Sequence, residues 1–234
     1  SAMDARLAAK GVPDEKRFLF PNWVDTEVVR PHTGESAFRD ELGLAPGTRV
    51  ALYSGNLGRK QGLDVLLDAA RATRSATHLL YVICGDGAER ESLQAAAAGL
   101  PNVRFLPLQP RERLNELLNL ADVHLLPQRA AAEDLVMPSK LAAMMATGRP
   151  VVATANAGSE VARVLDGGGI VVPPGDARAM ALAVLALCED DRQRATLGAA
   201  AREYARRHWD KSTVLGAAFG PRSIAALPAA VIGA

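Results

Sequence analysis

A glycine-rich turn follows the apolar run Val50–Ser54, and its composition predicts a seat for a phosphate or a pyrophosphate. Gly55 and Gly58 let the backbone turn tightly and let a ligand approach, because glycine has no Cβ atom. The helix pattern that starts at once behind the turn would point free N–H groups and the positive end of its dipole at that ligand. Arg59 and Lys60 add two full positive charges. A plain β–α turn that needs glycine for its geometry alone is an equally good interpretation.

The glycine spacing in this turn narrows the kind of enzyme that could use it. It matches neither the Gly-x-Gly-x-x-Gly fingerprint of dinucleotide-binding proteins nor the phosphate-binding loop of P-loop enzymes. A dehydrogenase or a P-loop kinase is therefore a weak interpretation.

A second glycine pair, in Gly85-Asp86-Gly87, follows the apolar run that ends at Cys84. As a turn into the next predicted helix, this segment would need glycine only for geometry. As a ligand site, it would let a nucleotide lie against the end of the strand. The segment by itself does not decide between the two.

Lys140 occupies a position that indicates an anionic ligand. Pro138 and Ser139 precede it at the start of a predicted helix, with Ser139 as a suitable N-cap. A cation in the first turn opposes the helix dipole unless an anion is near. A solvated surface lysine is the alternative. Further along, we interpret Arg149 in the segment Gly148-Arg149-Pro150 as a turn and packing residue only.

Composition excludes several classes of function. The chain has 234 residues, of which 49% are hydrophobic, and a formal net charge of +1, so no nucleic-acid partner is expected. Cys84 and Cys188 lack CxxC spacing, and we expect buried, reduced thiols with no disulfide and no metal. The histidines show no ligand spacing, and we expect His78 and His124 to be structural. No apolar run reaches the roughly 18 residues that span a bilayer and no signal peptide is visible, so we expect a cytoplasmic protein.

From Arg49 onward, short apolar runs alternate with helical patterns, which predicts a doubly wound α/β domain. Most of the runs are continuously apolar, as in a parallel sheet that is covered on both faces. The predicted strands are 50–54, 78–84, 103–106, 123–126, 150–153 and 170–172. The predicted helices are 63–73, 88–98, 111–120, 139–146, 159–165, 177–188 and 192–207. Ligands of such sheets bind at the carboxyl ends of the strands, where Gly55 lies.

The two ends of the chain differ from this pattern. Residues 1–48 are predicted to hold a short helix, a linker and one connecting strand, since prolines and charges interrupt residues 11–34. Residues 49–210 form the predicted sheet domain, and residues 211–234 a tail that packs on a partner domain. Ser1-Ala2 ahead of Met3 resembles the scar of a cleaved tag, so we expect a piece of a longer protein.

Four ordered motifs over about residues 18–210 resemble the carboxyl-terminal, nucleotide-sugar-binding domain of GT-B glycosyltransferases, specifically the retaining family 4. The motifs are Pro21-Asn22-Trp23-Val24-Asp25, Ser54 to Gly62, Gly85-Asp86-Gly87, and Pro138-Ser139-Lys140 followed by Met144 to Val152. Within that family they are most similar to the colanic acid and exopolysaccharide transferases. Members have two Rossmann-like halves with the active site between them. The resemblance implies that this chain supplies the second half, with a Rossmann-like, doubly wound parallel sheet.

The resemblance also implies roles for individual residues. The donor diphosphate would lie over the Gly55–Arg59 turn, with Arg59 and Lys140 as its charged partners. The nucleobase would lie near Gly85–Gly87 and Leu106-Pro107-Leu108, and the sugar would face residues 133–136. The implied catalytic residues are Arg59, Glu133 and Lys140, and the implied donor-binding residues are Gly55, Asn56, Gly58, Gln61, Gly85, Asp86, Gly87, Leu106, Pro107, Leu108, Val136, Met137 and Ser139. No metal or other cofactor is implied, because arginine and lysine would stabilise the departing nucleoside diphosphate, of the UDP or GDP type.

The chain departs from the family pattern at two places. Gln61 stands where the family has a lysine, so Arg59 or Lys60 would have to supply that charge. The family's glutamate pair, written E-x7-E, falls on Leu135 and Ala143.

The function that the resemblance implies is retaining transfer of a sugar to a glycan or lipid-linked acceptor in polysaccharide synthesis, at the inner face of the membrane. The partners would be the nucleotide-sugar donor, that acceptor and the missing amino-terminal half. This fragment would then bind the donor without transferring its sugar. Two alternatives stay open: a UDP-sugar 2-epimerase of the same fold, and a non-catalytic binding module, which the altered glutamate pair would suit.

Overall fold

The computed structural model describes residues 2–18, 20–32, 34–130 and 137–219. Two residues assigned to the site, Glu133 and Val136, lie outside the described residues, as does the tail from residue 220 onward. The described strands form one parallel sheet, with β1 at Arg49–Ser54, β2 at Leu79–Cys84, β3 at Val103–Leu106, β4 at Val123–Leu126, β5 at Val151–Thr154 and β6 at Gly169–Val172.

The strand order is β3-β2-β1-β4-β5-β6, which is that of a doubly wound Rossmann-like sheet. The chain moves outward from β1 to β3 and then returns to add β4 on the other side of β1. Because the connections reverse there, a crevice opens beyond the carboxyl ends of β1 and β4. The predicted fold class is confirmed.

Helices cover both faces of this sheet. In the described residues they are α1 (Ala2–Ala9), α2 (Phe38–Glu41), α3 (Asp64–Ala72), α4 (Arg90–Ala96), α5 (Leu114–Asn119), α6 (Ser139–Ala146), α7 (Glu160–Val164), α8 (Ala177–Glu189), α9 (Asp191–His208) and α10 (Lys211–Phe219). Short 3-10 turns occupy Asp14–Lys16, Arg59–Gln61 and Arg111–Arg113. The predicted helix 111–120 therefore begins as a 3-10 turn.

Alternate residues of β1 show how the sheet is held. Ala51 and Tyr53 are buried in the cluster that α3 and α8 complete, whereas Val50 and Leu52 are buried in a cluster with α2 and α5. Burying a side chain of the size of valine or leucine contributes about 1.5–3 kcal/mol. A strand that contributes to two cores must be apolar along its buried part, and Val50–Tyr53 of β1 shows this pattern.

In the described part of residues 1–48, no regular strand takes the place of the predicted connecting strand. Val24 forms only an isolated bridge with Asp210: its N–H donates to Trp209 O at 2.8 Å, and its carbonyl accepts from Lys211 N at 2.9 Å. The bridge stops there because its partner is the short link between α9 and α10, not a strand. The polar stretch after it also holds α2, whose Phe38 is buried.

Candidate functional site

The loops after β1, β2 and β3 are bonded to one another at the carboxyl edge of the sheet. Gly55 N donates to Cys84 O at 3.0 Å, and Gly85 N donates to Leu106 O at 3.2 Å. A Cβ atom on Gly85, whose φ is +145°, would lie 1.9 Å from Gly55 O. Gly85 is therefore required because the first loop crosses directly over it, which favours the geometric interpretation of this glycine.

Gly87 is required for the same reason. A Cβ atom there would lie 2.6 Å from both Leu57 O and the Asn56 side-chain oxygen. Leu57 N donates to Asp86 O at 2.8 Å, and the Tyr53 hydroxyl donates to Asn56 O at 2.7 Å. These bonds fix the backbone of Asn56, Leu57 and Asp86 without help from a ligand.

The glycine turn is longer than its pattern indicates. A 3-10 turn at Arg59–Gln61 lies between Gly58 and α3, which begins at Asp64, close to the predicted start at residue 63. Gly58 has an ordinary φ of −115°, whereas Gly62 takes the left-handed conformation with φ +66°. The extra turn needs that left-handed residue to bring the chain back into α3. The helix dipole then acts from beyond this turn.

Lys140 lies against the end of β1. Its Nζ atom is 4.1 Å from the centroid of the Tyr53 ring, and a Cβ atom built on Gly55 would be 3.5 Å from it. Among the described residues, no carboxylate or hydrogen-bond acceptor pairs with this ammonium group. Burial lowers the pKa of Lys140 from its ordinary 10.5 to about 8. The alternative of a solvated surface lysine is therefore wrong.

The helix that carries Lys140 begins differently from the prediction. Pro138, with φ −60° and ψ 118°, is the N-cap of α6, and Ser139 is its exposed first residue rather than the cap. Proline takes this place because its fixed φ suits the approach to a helix and its missing N–H is not needed there. Just before it, Met137 O accepts from Asn22 Nδ2 at 2.8 Å, which ties the linker to the site.

Arg59 is exposed and paired with a carboxylate in this structure. Its side chain is 89% exposed, and its Nε atom is 3.2 Å from Glu89 Oε1. An arginine that was not singled out from the sequence, Arg129 after β4, holds the turn from the other side: its Nε donates to Arg59 O at 2.7 Å. Arg129 Nη2 also lies 3.3 Å from Asp64, and its Cγ would be 3.0 Å from a Cβ atom on Gly62.

The segment Leu106-Pro107-Leu108 presents few free carbonyls. Leu106 O accepts from Gly85 N and, at 3.1 Å, from Arg90 Nη1, which also donates to Gly85 O. Pro107 O accepts from Cys84 Sγ at 3.2 Å. Leu108, in contrast, is 71% exposed. Arg90 is thus a second residue that the sequence patterns missed, and it fixes the two loops assigned to the nucleobase.

Comparison with known proteins places this geometry in a family. The model of the family described as "Glycosyl transferases group 1" matches residues 48–190, more than half of the chain. The chain belongs to the group 1 glycosyltransferases. It is 36% identical over 226 residues to WcaI of Escherichia coli (strain K12), whose name assigns it to colanic acid biosynthesis. It is 30% identical over 213 residues to the D-inositol 3-phosphate glycosyltransferase of Xylanimonas cellulosilytica.

The group 1 glycosyltransferase chain spans about half the length of these relatives. It covers 53% of WcaI and 50% of the Xylanimonas protein, while 92% and 86% of the chain itself are matched. The Anabaena protein Alr3699/HepE, solved in complex with UDP-glucose, has the same fold, with a TM-score of 0.77 at 20% identity. That likeness covers 95% of this chain and 60% of the Anabaena chain. The chain is the carboxyl-terminal half of a GT-B fold, as its motifs indicate.

No chemical role is assigned to the cysteines of this glycosyltransferase or to His78 and His124. The surroundings of these four residues in the structure are consistent with structural roles. Cys84 and Cys188 are buried and free, as expected. His124 is buried with Nε2 3.1 Å from Thr147 Oγ1, and burial lowers its pKa to about 3, so it is a neutral structural residue. His78 is exposed, just ahead of β2. In the described ranges, no cluster of metal-ligating side chains is found, and no helix could cross a membrane.

Proposed function

We propose that this group 1 glycosyltransferase domain binds the nucleoside diphosphate of a sugar donor in the crevice beyond β1 and β4. The observation that carries the proposal is Lys140: a partly buried ammonium group without an acidic partner among the described residues, held beside Gly55. Burying an unpaired charge is unfavourable. Such a residue is explained when a charged ligand completes the pair.

The geometry supports the diphosphate as that ligand. Gly55 has no side chain to cover the Lys140 ammonium, so an anion can approach both the backbone and the charge. A lysine whose pKa is about 8 is still mostly protonated at pH 7. In a site of low dielectric, its attraction for the developing charge on a leaving diphosphate is stronger than in water. Arg59 would contribute after turning away from Glu89.

The donor class follows from the relatives rather than from the chain alone. The Anabaena neighbour was solved with UDP-glucose, and the resemblance to WcaI points to exopolysaccharide synthesis. We propose retaining, family 4 transfer to a glycan or lipid-linked acceptor that the other half of a full-length protein would bind. The residues named for base and sugar, including Glu133 and Val136, belong to this proposal. No metal is needed in it, since Lys140 and Arg59 supply the positive charge.

Calorimetry with UDP, GDP and ADP tests the proposal. We expect one nucleotide to bind the wild-type domain and to bind at least tenfold more weakly to Lys140→Met, which corresponds to about 1.4 kcal/mol or more. Lys10→Met changes an exposed lysine just after α1 and serves as the matched control. Absence of binding by all three nucleotides at millimolar concentration, or equal affinity in Lys140→Met, would refute the assignment.

A further inference from the structure

A small polar cavity lies at the opposite, amino-terminal edge of the sheet. Its volume is about 170 Å³, and it is lined by the starts of β1 and β4, by the residues ahead of α2, and by Arg149 just before β5. Three arginines contribute to its wall: Arg39, Arg49 and Arg149. Lys140 and Gly55 lie at the carboxyl edge, so this cavity is separate from the donor site.

The arginines of the cavity differ in what they bind. Arg39 Nη2 donates to Thr48 O at 2.7 Å, and Arg39 Nε lies 3.8 Å from Oε1 of Glu35, which also lines the cavity. Arg49 lies 3.3 Å from Asp122 and 2.7 Å from Asp191. Arg149 is partly buried, yet among the described residues its guanidinium makes no hydrogen bond and no ion pair. Its interpretation as a turn and packing residue therefore leaves its five N–H donors without a partner among the described residues, available to water or to a ligand.

Two carboxylates line the cavity, those of Glu35 and Asp122, and both already have partners. Asp122 accepts from Val50 N at 2.9 Å and from Arg49, and it lies 3.9 Å from Arg194. Arg194 is in turn bonded to Leu187 O at 2.6 Å. Burial lowers the pKa of Arg149; the charge of Asp122 opposes this effect and the charge of Arg194 adds to it. Arginine nevertheless stays charged in proteins, so a partly desolvated positive charge faces the cavity. Asp122 attracts this charge, but no carboxylate of the described residues forms an ion pair with the Arg149 guanidinium.

We propose that this cavity binds a small oxyanion of the phosphate class, held by Arg149 with Arg39 and Arg49 at its rim. The planar fork of a guanidinium matches two oxygens of such an anion. Ligand pockets for drug-sized molecules measure about 300–1,000 Å³, so a cavity of this volume suits a single phosphate or a phosphoryl group at the end of a larger molecule. A whole nucleotide would not fit.

The site is distinguishable from the donor site because the two lie at opposite ends of α6. Lys140 is in the first turn of α6, and Arg149 follows shortly after its last residue, Ala146. A helix of this length spans about 12 Å. An anion at one end therefore cannot touch the residue at the other, and perturbations at the two ends can be resolved separately.

The test is a titration of the ¹⁵N-labelled domain with inorganic phosphate at constant ionic strength, followed by the shifts of backbone amide resonances. We expect saturable shifts at Gly34, Gly47 and Asp122, with a Kd of about 1–10 mM. Lys140→Met should leave these shifts unchanged, and Arg149→Met should weaken them at least tenfold. If Arg149→Met does not fold, Arg149→Lys, which keeps the charge but loses the fork, should weaken them severalfold.

Other outcomes would overturn the proposal. These are shifts confined to the amides near Gly55 and Gly85, shifts at the cavity that grow linearly without saturation, or equal shifts in wild type and both Arg149 variants. A parallel titration with glycerol 3-phosphate distinguishes the source of the anion. Tighter binding than inorganic phosphate at the same amides would identify a phosphorylated metabolite, and weaker binding would identify the free ion. Because the readout is confined to the cavity, failure of nucleotide binding at Lys140 would not affect it.

Discussion

Replacing Lys140 by methionine should stabilise the fold while it removes the donor site. The pKa of this lysine falls from 10.5 to about 8 because burial disfavours its charged form. A tenfold change in a protonation equilibrium corresponds to about 1.4 kcal/mol, so holding the charge in the fold costs about 3 kcal/mol at neutral pH. The variant also loses the contact of the ammonium with the Tyr53 ring, and this loss reduces its gain in stability by about 1 kcal/mol. A net gain of about 2 kcal/mol should remain.

The sign of the pH dependence follows from the lowered pKa. Below pH 8 the lysine is charged in both folded and unfolded chains, and the full cost of burial applies. Between pH 8 and the unfolded value near 10.5, the folded state releases the proton first, so the wild type gains stability as the pH rises. The advantage of Lys140→Met should therefore be largest at about pH 7 and should shrink steadily towards pH 10.

Urea unfolding at pH 7, 8.5 and 10 measures this difference directly, with Lys10→Met as the control. For a chain of this size, a gain of about 2 kcal/mol corresponds to a rise in Tm of about 4–8 °C. A methionine variant that is less stable than wild type at pH 7 would refute the reasoning, because the lysine would then have a stabilising partner. A pH-independent difference would refute it too, since the effect would come from packing and not from charge.

Three further predictions concern the loops and the core. Gly85→Ala should destabilise the fold by about 2–4 kcal/mol in urea unfolding, through both backbone strain and the clash with Gly55 O. The control Gly99→Ala, at a glycine with φ +82° but open space around it, should reduce the free energy of unfolding by only about 1 kcal/mol, and equal losses in the two variants would contradict the clash. Arg90→Met should weaken nucleotide binding severalfold in calorimetry with little effect on urea stability, because Arg90 bonds Leu106 O and Gly85 O; unchanged affinity would contradict its role in positioning these loops. Burial lowers the pKa of His124 to about 3, so the unfolded chain takes up the proton first as the pH falls below about 6.5, and the wild type should lose up to about 1.4 kcal/mol of stability for each pH unit. His124→Gln should remove this loss, and stability curves of the two proteins that run parallel between about pH 4.5 and 7 would contradict the prediction.

The sequence predicts the sheet well because each strand carries a local signal. Val103–Leu106 and Val123–Leu126 match their predicted bounds, as does α6, since short, mainly apolar runs and a proline at a helix start are short-range signals. The site is less predictable, because its decisive contacts join loops distant in sequence. Gly85 is needed only because the loop at Gly55 crosses it, and Arg129 matters only because β4 lies beside β1.

Among the site residues, Lys140 is the one whose position in the sequence already indicates a ligand. Its unfavourable place in the first turn of α6 is visible in the sequence, and the structure adds that the group is partly buried beside Tyr53. The loops around it satisfy one another through backbone hydrogen bonds, Gln61 brings no charge, and Arg59 is paired with Glu89. Lys60 adds an exposed charge at the turn, so Lys140 is the partly buried cation in the described part of this edge. The affinity of the site for a diphosphate should therefore depend mainly on this lysine, whose charge the fold maintains at a cost, and ligand binding should draw a proton onto it near pH 8.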